Sequence, residues 1–60
     1  MEHAYEIVCN VNGRIYSFIV RKIDGGVPYG FCKKLRKWGW IHDDYIQLED
    51  GVIHRSKIVS

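Results

Sequence analysis

A chain of 60 residues with a formal net charge of +2 is long enough for one small domain and leaves little room for a deep catalytic pocket. Hydrophobic residues make up 47% of the chain and charged residues 27%, a balance that argues against disorder and predicts a globular fold. We therefore expect a single domain over residues 1–60 that is not an enzyme. We expect no cofactor and no small-molecule substrate.

The first residues carry no targeting pattern. Met1 is followed by EHAYE, without the basic start and apolar core of a signal peptide. The longest uncharged runs, such as IYSFIV at 15–20, are too short to cross a bilayer. The expected location is cytoplasmic, with no membrane partner.

The first half of the sequence predicts a hairpin. Alternating apolar segments flank Asn12-Gly13, a pair that favours the positive φ angles of a two-residue type I′ turn. Such a turn sets the register of both strands. On one face of the hairpin, which is apolar, the predicted pairs are Cys9 with Tyr16, Ile7 with Phe18 and Tyr5 with Val20. On the other face they are Glu6 with Ile19 and Asn10 with Ile15.

A second turn is expected at 24–26, where the sequence reads DGG. In a regular hairpin Tyr29 and Phe31 would then face Val20 and Phe18, so both are predicted to lie in the core. Tyrosines on this face could form a stacking platform for bases, but their apolar neighbours favour a core.

The segment GFCKKLRKWG at 30–39 is compatible with two structures. Phe31, Leu35 and Trp38 have helical spacing, with Gly39 where a C-cap would lie. A strand from Tyr29 to about Lys34, followed by a basic loop, fits equally well. We prefer the strand, because two hairpins need a further strand to cover their apolar face.

The last predicted hairpin has the loop Glu49-Asp50-Gly51, in which a type I turn is closed by a bulge with Gly51 in the left-handed conformation. The apolar residues around it are Ile46, Leu48, Val52, Ile53, Ile58 and Val59. The predicted fold is all-β, a small four- to five-stranded antiparallel barrel or curled sheet. The alternative is an α+β fold with one short helix at about 30–38.

Residues 39–46, GWIHDDYI, resemble the closing segment of Src-homology-3 and Src-homology-3-like domains. That segment has a glycine, two apolar residues, a three-residue 3₁₀ turn, a tyrosine and an apolar residue. The resemblance implies a small five-stranded barrel. His42 stands where the eukaryotic domains usually have proline, so no groove for proline-rich peptides is carried over.

Cys9 and Cys32 lack the CxxC spacing of metal sites, and the histidines add no zinc pattern. We expect two reduced, structural thiols and no metal. Asp43 and Asp44 are adjacent, so on a strand they would point to opposite faces, and we interpret them as turn caps.

Four of the nine Lys and Arg residues fall within five positions, at Lys33, Lys34, Arg36 and Lys37. With Trp38 they predict a basic-aromatic loop over 33–40 that binds nucleic acid, DNA or RNA, the cations contacting phosphates and the indole stacking on a base. In a purely structural interpretation, Trp40 closes the core and the cations are only solvated. The alternative function is a protein-interaction or inhibitor module, of the kind common in phages and mobile elements, that docks on an acidic partner surface. The acidic residues at 43–50 favour this alternative.

Overall fold

The computed structural model describes residues 4–60, which form one antiparallel sheet and contain no helix. Its strands are β1 (Tyr5–Val11), β2 (Arg14–Asp24), β3 (Val27–Cys32), β4 (Lys37–Ile41), β5 (Tyr45–Leu48), β6 (Ile53–Arg55) and β7 (Lys57–Ile58). The spatial order is β6-β5-β4-β3-β2-β1-β7. Because β6 and β7 follow each other in the chain, the sheet rolls up and its two ends meet in a nearly closed barrel.

The all-β prediction is confirmed, with seven strands in place of the expected four or five. The alternative with a helix at 30–38 is wrong, because these residues form the end of β3, a turn at 33–36 and the start of β4. Within residues 4–60 there is no helix that could span a membrane.

The first hairpin has the predicted register, with Ile7 opposite Phe18 and Cys9 opposite Tyr16. Asn12 and Gly13 have φ angles of 54° and 84°, as the type I′ turn requires. The Gly13 N–H also donates a hydrogen bond to Asn10 Oδ1 at 2.8 Å. The turn geometry and the apolar alternation therefore specify the same strand pairing.

The second hairpin does not have the predicted register, because Tyr29 pairs with Lys22 in place of Val20. Near the turn Lys22 pairs with Tyr29, but further on Val20 pairs with Gly30, so a bulge leaves Arg21 without a partner. A one-residue shift moves every later side chain to the opposite face. Phe31 consequently lies opposite Ile19 and not Phe18. The prediction that Tyr29 and Phe31 belong to the core is wrong, and both point outward.

Two glycines occupy facing inward positions on β3 and β4. Gly30 on β3 lies opposite Gly39 on β4, and both are buried. A Cβ atom on Gly30 would stand 2.8 Å from the backbone oxygen of Ile19. A Cβ on Gly39 would stand 3.1 Å from Cδ2 of Leu48 and 3.5 Å from Cε2 of Phe18. At Gly30, therefore, only glycine lets β3 approach β2 this closely.

The last hairpin has the predicted loop. Gly51 has a φ of 90°, and its N–H donates to the Leu48 carbonyl at 2.9 Å. The N–H of Leu48 donates to the Val52 carbonyl at 2.8 Å and closes the loop. Beyond it, the chain leaves apolar side chains in solvent, with exposed fractions of 44% for Val52, 59% for Ile53, 42% for Ile58 and 54% for Val59.

Residues 43 and 44 form a bend, not the 3₁₀ turn of the segment that 39–46 resembles. The His42 N–H donates to the Tyr45 carbonyl at 2.9 Å, and Ile41 pairs with Ile46. The segment is therefore the turn of a β4–β5 hairpin.

The barrel core consists of eight buried hydrophobic residues, with Ile7, Tyr16 and Leu35 packed against them. They are Cys9, Val11, Phe18, Val20, Cys32, Ile41, Ile46 and Leu48. Both cysteines are free thiols. Burial, and to a lesser degree the neighbouring Cys32, raises the pKa of the Cys9 thiol.

Replacing Gly30 with alanine should destabilise the protein by about 2–3 kcal/mol, because the added methyl group meets backbone that cannot rotate away. Gly39→Ala should be milder, since its contacts with a movable Leu48 methyl at 3.1 Å and with the Gln47 backbone oxygen at 3.2 Å are less close. Urea unfolding followed by tryptophan fluorescence measures both. Equal stability of Gly30→Ala and the wild type would contradict the close strand approach.

The native thiols should react slowly with a thiol reagent such as dithionitrobenzoate at neutral pH, and both should react rapidly in denaturant. The reason is that Cys9 and Cys32 are fully buried and the pKa of Cys9 is raised, so little thiolate is accessible. Stopped-flow absorbance measures the two rates. Adding a chelator should leave the circular dichroism spectrum unchanged, whereas unfolding by chelator would reveal a structural metal.

Candidate functional site

Four aromatic side chains lie together on the outer face of β3 and β4. Tyr29 pairs with Trp40 and Phe31 pairs with Trp38. The inward-facing glycine pair lies between these two cross-strand pairs. We call Tyr29, Phe31, Trp38 and Trp40 the aromatic strip. Each side chain is half-buried, so the strip keeps part of its ring surface open to solvent.

The rings of the strip pack on one another. The ring centroids of Tyr29 and Trp38 are 5.2 Å apart with an interplanar angle of 11°, so these two rings are stacked. Trp40 is tilted by 48° against Tyr29 at 4.8 Å. Phe31 meets Trp38 edge-on at 5.4 Å and 60°. These contacts hold the rings in fixed orientations before any ligand arrives.

Polar groups at both ends of the strip fix it further. The Trp40 indole Nε1–H donates to a carboxylate oxygen of Asp24 at 2.9 Å. At the other end, the Trp38 backbone N–H donates to Oε2 of Glu49 at 2.6 Å. Lys22 places its ammonium 5.3 Å from the centre of the Tyr29 ring, a cation–π contact.

The predicted cations divide into two kinds. Lys37, the first residue of β4, forms an ion pair with Asp50 at 2.7 Å. Lys34 donates to the backbone oxygen of Ile15 at 3.2 Å and lies over the Tyr16 ring. Lys33 and Arg36 are exposed in the turn, and neither forms a side-chain ion pair or hydrogen bond with any residue of 4–60. These two are the free cations of the site.

The turn at 33–36 that carries these cations is held in shape by the barrel. The Arg36 N–H donates to the Cys32 carbonyl at 2.7 Å, and Arg36 has a φ of 57°. Leu35 points inward and packs against the core. The basic segment is therefore a tight turn of four residues, with Lys37 and Trp38 already on β4, where the sequence predicted one loop over 33–40.

Sequence reasoning found Trp38 but missed most of the aromatic strip. Trp40, which the structural interpretation placed in the core, lies on the outer face and is half-buried. The predicted register placed Tyr29 and Phe31 inward, and no sequence pattern indicated a role for Lys22. One signal was available: in YGF at 29–31 and WGW at 38–40 a glycine alternates with aromatic residues, as expected for strands whose inner face has no room for side chains.

The acidic residues at 43–50 do not form a single cluster whose negative charge would offset the cations. Glu49 and Asp50 are engaged with Trp38 and Lys37, and the Lys37 hydrogen bond lowers the pKa of Asp50. Asp43 and Asp44 lie beyond the far end of β4, which at five residues is about 14 Å long. Among residues 4–60 no group of three His, Cys, Asp or Glu side chains is placed to hold a metal ion.

No protein-family model, curated protein or solved structure matches this chain. A small barrel by itself does not define a function, because one architecture supports many binding activities. The functional argument therefore depends on the aromatic strip and the charges around it.

The pairing of Asp50 with Lys37 should make stability sensitive to acid. Because the folded-state pKa of Asp50 is lowered, the pair stabilises the fold above the ordinary pKa of aspartate, and this contribution is lost as the pH falls through the lowered value. Lys37→Met should move the titration of Asp50, followed by carboxyl NMR shifts, to higher pH. Lys33→Met is the matched control and should leave the titration of Asp50 unchanged. An unchanged Asp50 titration in Lys37→Met would contradict the pairing.

Proposed function

We propose that this protein binds single-stranded nucleic acid, with bases stacked on the aromatic strip and phosphates near the turn at 33–36. The observation that carries the proposal is the position of four aromatic side chains on the outside of a protein with a very small core. Aromatic residues normally supply much of such a core. A contiguous aromatic surface that stays partly accessible to solvent is typical of a binding site.

The dimensions of the aromatic strip suit unpaired bases. Its two cross-strand rungs are two residues apart along each strand, which is about 7 Å. Sheet surfaces with a similar arrangement of rings stack about two or three bases. Base faces are accessible in this way only when the strand is unpaired, so a duplex would not use the strip.

The charges support a short contact with a flexible strand. Lys33 and Arg36 are free at one end of the strip, and Lys22 lies at the other end beside Tyr29. For two or three phosphate contacts with single-stranded nucleic acid, the logarithm of the affinity should fall with the logarithm of the salt concentration with a slope of about −1.5 to −2. The nearby carboxylates of Glu49, Asp50 and Asp24 are occupied by internal partners, which limits their repulsion of a polyanion.

A protein-interaction module is the second candidate function, favoured by a different surface. Ile53, Ile58 and Val59 are exposed near the closure of the barrel, where Arg55 and Lys57 are exposed as well. Apolar side chains bordered by cations suit an acidic protein partner. This surface lies on β6, β7 and the last residues, away from the aromatic strip.

Binding of labelled oligouridine and oligothymidine, measured by fluorescence anisotropy at two salt concentrations, tests the proposal. Lys33→Glu with Arg36→Glu should abolish binding near physiological salt without unfolding the protein, because neither side chain has a partner within the described residues. The matched control is Arg55→Glu with Lys57→Glu, which makes the same charge change on the opposite surface. Lys34 and Lys37 are poorer choices for reversal, since both contact the barrel.

Stacking is tested separately from charge. Oligonucleotide should quench the fluorescence of Trp38 and Trp40, and Trp38→Leu should weaken binding by about 1–3 kcal/mol. Ile53→Ala is the control for loss of an exposed apolar side chain. If the parent protein binds no single strand near physiological salt, the proposal fails and the protein-interaction function takes its place.

A further inference from the structure

The outer face continues from the aromatic strip onto β2 and β1. Phe31 of the strip pairs with Ile19, whose other cross-strand neighbour is Glu6. Next to the strip lies a groove of about 370 Å³. It is lined by Glu6, Ile15, Ser17, Ile19, Lys33 and Lys34.

The groove has an apolar floor, one polar pair and a basic wall. Ile15 and Ile19 form the floor, and between them the Ser17 hydroxyl donates a hydrogen bond to the Glu6 carboxylate. This bond uses the only proton of the hydroxyl, so the pair offers acceptor oxygens and no donor. Lys33 belongs both to this groove and to the basic turn.

We propose that the groove binds the ribose of an RNA strand whose neighbouring bases stack on the aromatic strip, with the 2′-hydroxyl donating to the Glu6–Ser17 pair. This inference rests on the proposed function and specifies its ligand as RNA in preference to DNA. The 2′-hydroxyl is the group by which a protein distinguishes the two. Deoxyribose has no donor there and would form no hydrogen bond with this pair.

The charge pattern supports a sugar at this place and not a phosphate. The Glu6 carboxylate repels a phosphate but accepts a hydrogen bond from a hydroxyl group. Lys33, the free cation that lines this groove, can hold the phosphate next to that sugar. A hydrogen bond to a charged acceptor gives a preference for RNA of about tenfold.

The test compares the affinities of oligouridine, oligodeoxyuridine and 2′-O-methyl oligouridine of equal length by fluorescence anisotropy. The wild type should bind the RNA about tenfold more tightly than the other two, which lack the donor. Glu6→Val and Ser17→Ala should each reduce this ratio toward one, with circular dichroism verifying the fold. Asp43→Asn removes a negative charge far from the groove and should leave the ratio unchanged.

The outcomes separate the two proposals. Equal affinity of the wild type for all three oligonucleotides overturns ribose recognition and leaves single-strand binding standing. A preference for RNA that survives both Glu6→Val and Ser17→Ala also overturns the role of the groove. If none of the three oligonucleotides binds, the proposed function itself fails.

Discussion

The close approach of β3 to β2 at Gly30 is the constraint on which the rest of the structure depends. A Cβ atom at this position would lie 2.8 Å from the Ile19 oxygen, so the strands can meet here only without a side chain. The bulge at Arg21 places Gly30 at this point, opposite Val20. Gly39 continues the narrow inner surface onto β4. Together the bulge and the two glycines bring the sheet close over Phe18.

The same arrangement determines what lies outside. Side chains alternate between the two faces of a strand, so the residues before and after an inward-facing glycine point outward. Those neighbours are aromatic on both strands, and they stack into one surface. Asp24 and Glu49 then hold Trp40 and Trp38 by hydrogen bonds. The packing of the core thus determines that these aromatic side chains lie together on the outside of the barrel.

Two outer surfaces with different chemistry adjoin at Lys33. On one side the aromatic strip offers ring faces, which suit any base, and on the other the groove offers the acceptor pair of Glu6 and Ser17. The first would supply affinity with little regard to sequence. The second would distinguish one sugar from another. Lys33 lines the groove and also belongs to the basic turn, so a single-stranded nucleic acid bound along the aromatic strip would reach both surfaces.

The sequence by itself determined the turns, and through them most of the strands. Asn12-Gly13 set the register of the first hairpin and Gly51 closed the last loop, because a positive φ is a local property that glycine and asparagine supply. It also located the basic segment beside Trp38, but it predicted one loop over 33–40 and not the four-residue turn at 33–36. Only the tertiary structure decided which way β3 faces, since the bulge at Arg21 shifts the register by one residue. At the bulge the Gly30 backbone comes close to a neighbouring strand, and the YGF and WGW patterns by themselves do not locate the bulge. The partners of Lys37 and Lys34, Asp50 and Ile15, are likewise distant in the chain, so only folding could separate these bound cations from the free ones.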